Sequence, residues 1–228
     1  MSNWLNGRVA VVTGASRGIG EATAIELAKA GARVVGAART GDGPDNAECF
    51  VRCDVSQADQ VEDLFARAEA LGPPTVLVCA AGILEKASLE DTTPELWQRA
   101  LDVNLTGTFL SCRRAFAPMR EAGGGRIVTI SSLSGVYATE KFPGLLAYNV
   151  SKYGVVGLTE MIAVEGRSHD ISAICISPGA VDTKMLRAAA PQLNAGLSAE
   201  DAGRLIVALL DEALAPLSGA NIPIFSNR

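Results

Sequence analysis

Five short runs restrict this chain most, because they are apolar almost throughout: "RVAVVTG" at 8–14, "ARVVGAA" at 32–38, "TVLVCAAG" at 75–82, "GRIVTISS" at 125–132 and "ISAICISPG" at 171–179. A strand with one face in water carries a polar residue at every second position, and these runs do not. Both faces of each must be covered, as in a parallel sheet with helices on either side. The intervening segments 18–30, 56–71, 94–121, 147–166 and 198–214 have helical patterning, while "CFVRCDV" at 49–55 and "ANIPIF" at 220–225 add two more strand signals. This order predicts a doubly wound α/β architecture. The 228 residues suffice for one core, and no loop-like tract is long enough to separate two, so a single domain over 1–228 is expected.

Charge and composition exclude several functions. Twenty basic and twenty-five acidic residues give a formal charge of −5, with the signs mixed along the chain. Neither nucleic acid nor an anionic membrane is an expected partner. With no signal-like opening and no apolar run long enough to span a bilayer, a cytoplasmic location is expected. Cys49, Cys53, Cys79, Cys112 and Cys175 form no CxxC pair and read as reduced, buried thiols. The one histidine, His169 in "GRSHDIS", reads as a surface residue after a helix, and no ligand cluster surrounds it. Any chemistry must therefore manage without a protein-bound metal and without a Ser-His-Asp triad.

The first run passes directly into "TGASRGIG" at 13–20, with Gly14, Gly18 and Gly20 at the crossing from strand to helix. Glycines there let the backbone turn tightly and approach a pyrophosphate, whose charge the helix N-terminus favours. The spacing is GxxxGxG, not the general GxGxxG, so the turn by itself is a weak signal. At the end of the second run Ala38 stands where an NAD-preferring site carries an acid, and Arg39 follows. A guanidinium can hold a 2′-phosphate, and the missing carboxylate removes the repulsion that would reject it. With Arg17 offering a second cation in the turn, NADP(H) is the expected cofactor.

In "LLAYNVSKYG", residues 145–154, Tyr148 and Lys152 are one helical turn apart and share a face. A phenol near its ordinary pKa of ~10 is a poor base at neutral pH, and a neighbouring cation favours its ionised form. Tyr153 is turned about 140° away at 3.6 residues per turn, and reads as packing. The strand before this helix ends at Ser131 and Ser132, where a hydroxyl faces the ligand crevice of a parallel sheet. Asn104, a polar interruption in "LDVNLTGTF", reads equally well as a satisfied buried amide or as a functional group.

Taken in order, "TGASRGIG" at 13–20, "CDV" at 53–55, "AAG" at 80–82, Asn104, "ISS" at 130–132, "YNVSK" at 148–152 and "SPGAVDT" at 177–183 make the whole chain resemble the short-chain dehydrogenase/reductase family. The resemblance implies a Rossmann-type doubly wound fold, with a parallel sheet of about seven strands flanked by helices on both faces. It also implies an oxidoreductase moving hydride between the nicotinamide and a carbonyl or secondary alcohol, a 3-oxoacyl thioester being one subclass. By the same resemblance Tyr148 would be the general acid, and Lys152 would hold the nicotinamide ribose and depress the tyrosine pKa. Ser132 would hold the substrate oxygen, and Asn104 would position a water leading to Lys152.

Cofactor contacts implied in this way are Gly14, Ser16, Arg17, Gly18, Ile19 and Gly20 in the turn, Arg39, then Asp54 and Val55 at the adenine. They continue with Ala81, Gly82, Tyr148 and Lys152, and with Pro178, Gly179, Val181 and Thr183 beside the nicotinamide. A homodimer or homotetramer is expected through the helices carrying Asn104 and Tyr148. The rival is a dinucleotide-binding sensor or scaffold without catalysis; its signature would be a broken tetrad, yet Asn104, Ser132, Tyr148 and Lys152 are all present.

Three departures stand out. Cys79 and Ala80 replace two asparagines usual before the Ala-Gly of the fourth strand, a change expected to affect pocket order more than chemistry. Fifteen residues separate Ser132 from Tyr148 where about a dozen are common, which makes Tyr137 to Phe142 the expected pocket mouth. After Thr183 the stretch before the next helix is short, so an open or small active site is expected.

Overall fold

The computed structural model describes residues 3–44 and 46–226. Strand β1 (Val9–Thr13) leads through the glycine turn into α1 (Gly18–Lys29), followed by β2 (Arg33–Ala38), β3 (Cys49–Arg52), α2 (Ala58–Glu69) and β4 (Pro74–Cys79). Next come α3 (Pro94–Leu101), a five-residue π-helical turn (Asp102–Thr106) and α4 (Gly107–Glu121), so the long helix expected over 94–121 is widened at its middle. The chain then makes β5 (Gly125–Ile130), α5 (Leu146–Gly166), β6 (Ile171–Pro178), β7 (Val181–Asp182), α6 (Lys184–Ala189), β8 (Leu197–Ser198), α7 (Ala199–Leu209) and β9 (Asn221–Ile224). The helix expected over 198–214 stops at Leu209 and gives way to a 3₁₀ segment, Glu212–Leu217. Among the described residues no helix is long and apolar enough to cross a membrane.

Seven strands form one parallel sheet in the order β3-β2-β1-β4-β5-β6-β9, and β7 and β8 pair in a separate two-stranded sheet. Successive side chains of a strand point to opposite faces, so an apolar strand feeds two cores. Val9 and Val11 of β1 join Leu77 and Ile127 under Phe65 of α2 and Met119 of α4. Ala10 and Val12 join Val76 and Val128 under Leu27 of α1 and Ile206 of α7. Each fully buried leucine or phenylalanine side chain contributes about 1.5–3 kcal/mol over its exposed state. Small residues let α1 and α7 touch through backbone, since a Cβ at Gly203 would lie 2.8 Å from the Ala22 carbonyl carbon.

The strand order reverses between β1 and β4, and in open α/β sheets this is where loops diverge to leave a crevice. At that point Gly14 has φ +72°, and an added Cβ would lie 2.7 Å from the Ala80 carbonyl carbon. Left-handed backbone costs about 1–2 kcal/mol for a residue with a Cβ, before any clash. Gly123 supplies the comparison, with φ +81° and nothing within 4 Å of an added Cβ. In chemical denaturation Gly123→Ala should lose only that conformational cost. Gly14→Ala should lose clearly more, and equal losses would show that close approach of β1 and β4 is unimportant.

Candidate functional site

A cleft of about 770 Å³ runs along the carboxyl ends of the strands, from the glycine turn to the N-terminal turns of α5 and α6. Its floor at one end is bare backbone. A Cβ on Gly20 would overlap the Gly14 carbonyl oxygen, and Gly18, at φ +58°, leaves 3.3 Å between an added Cβ and the Thr183 methyl. Helix α1 begins at Gly18 with Arg17 at its N-cap and no side-chain cap. Its first N–H groups and positive dipole end therefore meet no side-chain acceptor, the condition for holding a phosphate. By contrast Thr93, Thr183 and Ser198 cap α3, α6 and α7 through their hydroxyls.

Farther along, Arg39 stands just beyond β2 with its guanidinium 4.0 Å from the Asp54 carboxylate. The other Asp54 oxygen accepts from the Ser56 N–H at 3.0 Å and hydroxyl at 2.8 Å, which fixes the carboxylate at the cleft wall. Partly exposed pairs of this kind contribute about 0–1 kcal/mol, so Arg39 is readily released to another anion. The uncapped helix, the bare-glycine cradle and a releasable cation together fit a dinucleotide.

At the opposite end α5 carries Tyr148 and Lys152 on one face, with the Lys152 ammonium 5.7 Å from the centroid of the tyrosine ring. Lys152 is 6% exposed, and its Nζ donates to the Ile130 carbonyl at 2.8 Å. Burial pulls its pKa down to about 8, while the nearby Cys175 and Cys79 thiols act in the opposite direction. The Ser132 hydroxyl lies beside the Tyr148 phenol and favours its ionised form. Ser132 also accepts from the Ser134 N–H at 3.2 Å, which fixes the serine at the strand exit.

Sequence reasoning expected a depressed Tyr148 pKa, and the cleft corrects it: burial raises the phenol above its ordinary value, and the nearby Ser132 side chain only opposes that rise. An ammonium that is itself partly stripped of solvent and spent on Ile130 does not offset the desolvation.

Asn104 is 0% exposed in the π-helical turn, a distortion common at functional sites. Its amide nitrogen donates to the Ile83 carbonyl and the Ser151 hydroxyl, each at 3.0 Å, and its oxygen accepts from the Ile83 N–H at 2.8 Å. Ser151 donates in turn to the Tyr148 carbonyl at 2.7 Å. The Asn104 side chain thus fastens the exit of β4 to the second turn of α5, with both amide hydrogens engaged.

All the residues expected around a cofactor line the cleft, as does Ser132, whereas Asn104 lies behind its wall. Two smaller readings need correction. Tyr153 is not simply packing, since it is exposed and its hydroxyl donates to the Val136 carbonyl at 3.0 Å. His169 is half-buried, its ring edge-on to Phe116 at 5.9 Å.

Residues the sequence did not single out also shape the site. The Thr13 backbone oxygen accepts from the Ala80 N–H at 3.2 Å and its hydroxyl from the Ala81 N–H at 3.4 Å, tying the backbone beside Cys79 and Ala80. A threonine closing an apolar run was the available signal. Leu84, Leu193 and Phe225 line the cleft from separate loops and Met185 lines it from α6, so the short stretch after Thr183 still contributes a wall. Nothing in local sequence joins them.

The sequence model described as short chain dehydrogenase matches residues 8–194. An acetoacetyl-CoA reductase of Rhizobium meliloti (strain 1021) is 36% identical, the alignment covering 94% of this chain and 95% of that protein. Among solved structures, a short-chain type dehydrogenase/reductase from Mycobacterium marinum superposes with a TM-score of 0.87 at 33% identity, over 96% of this chain and 94% of that one. The 3-ketoacyl-(acyl-carrier-protein) reductase from Brucella melitensis complexed with NADH has a TM-score of 0.85 at 27% identity, over 96% and 97%. With the parallel sheet, the glycine turn and the Tyr148–Lys152 pair in place, the chain belongs to the short-chain dehydrogenase family of oxidoreductases.

Proposed function

We propose that the chain is an NADP(H)-dependent reductase of small carbonyl compounds, with 3-oxoacyl thioesters as the favoured subclass. The observation that carries this reading is the gathering of Ser132, Tyr148 and Lys152 at one end of the cleft whose other end holds the uncapped start of α1. Similarity to an acetoacetyl-CoA reductase and to a 3-ketoacyl-(acyl-carrier-protein) reductase supports the subclass. A nicotinamide dinucleotide supplies the hydride when bound. Gly14, Gly18, Gly20 and the first turn of α1 hold its diphosphate, and Arg39 and Arg17 meet a 2′-phosphate.

The Ser132 hydroxyl orients the substrate carbonyl by donating a hydrogen bond to its oxygen. The Tyr148 hydroxyl transfers its proton to that oxygen as negative charge develops there. A phenol raised by burial is held protonated before the reaction, as an acid must be. Lys152 then stabilises the phenolate left behind, and Asn104 acts indirectly by fixing Ile83 and Ser151 around the pair. In the reverse direction the phenolate is the base.

Tyr148→Phe removes the proton donor and little else. Turnover of a carbonyl panel followed by NADPH absorbance should fall by about 10²–10⁴-fold, with NADPH affinity unchanged; a variant keeping most of its activity would remove Tyr148 from the acid role. For the cofactor, direct titration should show NADPH binding more tightly than NADH. Arg39→Ala should erase about 10–100-fold of the NADPH affinity while sparing NADH, the scale of a lost charge-assisted hydrogen bond. Equal affinities in the unaltered chain would overturn the preference.

The reading extends to a homodimer or homotetramer. Val150, Met161 and Val164 expose apolar area along one face of α5, Gly157 on that face has nothing within 4 Å of an added Cβ, and Phe109 is exposed on α4. A second copy laying the same helices against these would cover them. Sedimentation at micromolar concentration should give a dimer or tetramer that Met161→Glu with Val164→Glu dissociates, and a monomeric unaltered chain would refute it.

A further inference from the structure

Between Ser132 and Tyr148 the chain runs along the rim of the cleft, where Tyr137, Thr139, Glu140 and Phe142 face the opening. Its regular structure before α5 is one 3₁₀ turn, Leu133–Gly135. Ala138 sits at φ +58°, a conformation that a residue with a Cβ holds only when its surroundings impose it, and Tyr137 is 87% exposed. Such a segment needs an anchor to keep one shape.

Three side chains supply it, one of them Thr139, whose hydroxyl donates to the Val136 carbonyl at 3.0 Å. The Lys141 ammonium donates to the carbonyls of Ser134 at 2.9 Å, Val136 at 2.6 Å and Leu133 at 3.3 Å, and to the Thr139 hydroxyl at 2.7 Å. Its three N–H groups are shared among four oxygens, and the carbonyls belong to the 3₁₀ turn and the residue that follows it. The same nitrogen lies 5.0 Å from the centroid of the Tyr153 ring, within cation–π range. Tyr153 completes the link by donating its hydroxyl to the Val136 carbonyl at 3.0 Å. Beneath them Gly135 lies so close to α5 that an added Cβ would be 2.7 Å from the Lys152 carbonyl carbon. Neither Lys141 nor Tyr153 lines the cleft, so neither can act on substrate directly.

We propose that Lys141 and Tyr153 form a latch that positions the 137–142 rim on α5 and thereby sets which carbonyl substrates the site admits. They are positioning residues, and their effect depends on the reading of this site as a carbonyl reductase. The charge matters because the ammonium offers three donors and a full positive charge to the carbonyls and the aromatic face at once. Tyr153→Phe keeps the ring and removes only the hydroxyl.

The test uses the full chain with NADPH, ethyl acetoacetate as the compact probe and 1-tetralone as the bulky one. In Lys141→Met and Tyr153→Phe the ratio of kcat/KM between the probes should change by about tenfold through KM, the scale of one pocket contact. The kcat values and NADPH affinity should hold, and Lys141→Arg, which keeps the charge, should restore most of the ratio. Amide hydrogen exchange over 133–142 should quicken in Lys141→Met. Unchanged exchange there, or an equal fall in kcat for both probes, overturns the latch. If the unaltered chain binds NADPH but consumes it with no carbonyl of a wider panel, the reductase reading fails, and the exchange measurement alone decides the latch.

Discussion

The buried ammonium of Lys152 is the constraint around which the site is arranged. A cation out of water is tolerable only if its neighbours replace the hydration it has lost. Here the replacement is the Ile130 carbonyl at the end of β5, with the tyrosine ring and two thiols nearby. Burial still wins, which is why the pKa falls to about 8. Placing the nitrogen there requires α5 to lie tightly on the sheet, and Ser131 enforces this by donating to the Lys152 carbonyl at 2.8 Å. The strand end, the helix and the active pair are therefore one construction.

The same economy appears where Cys79 and Ala80 replace asparagines usual in the family. Cys79 is sealed in the core with its sulfur 3.8 Å from that of Cys112, and burial beside that second thiol holds it well above the ordinary thiol range. It packs as a small apolar residue. The backbone there is fastened by Thr13 on one side and Asn104 on the other, which together hold Ala80 to Ile83 in line along the cleft. The replacement thus leaves the strand exit tied at three backbone positions.

The two ends of the cleft are held by different means, and this matches what each must do. The glycine turn is set by backbone crowding between β1 and β4, a rigid contact with no side chain to rearrange. The rim over Tyr148 is held by a lysine, a tyrosine and a threonine on the surface, which leaves it adjustable. Backbone crowding leaves the cradle little room for change, whereas a surface loop held by side chains tolerates much.

Periodicity alone was enough for the sheet and its coverings, because strands buried on both faces admit few polar residues. The glycine turn and the pair Tyr148 and Lys152 were legible for a related reason: each lies within a few residues, where local geometry decides who meets whom. What local pattern could not supply was partnership across the chain. That Asn104 spends its amide on Ile83 and Ser151, that burial raises the Tyr148 phenol, and that Tyr153 holds a loop seventeen residues upstream all depend on how α5 lies against β5 and the exit of β4. Residue types and helical spacing determined which groups were available for chemistry. Desolvation and hydrogen-bond partners, which arise only when distant segments pack together, decided the state in which those groups are held.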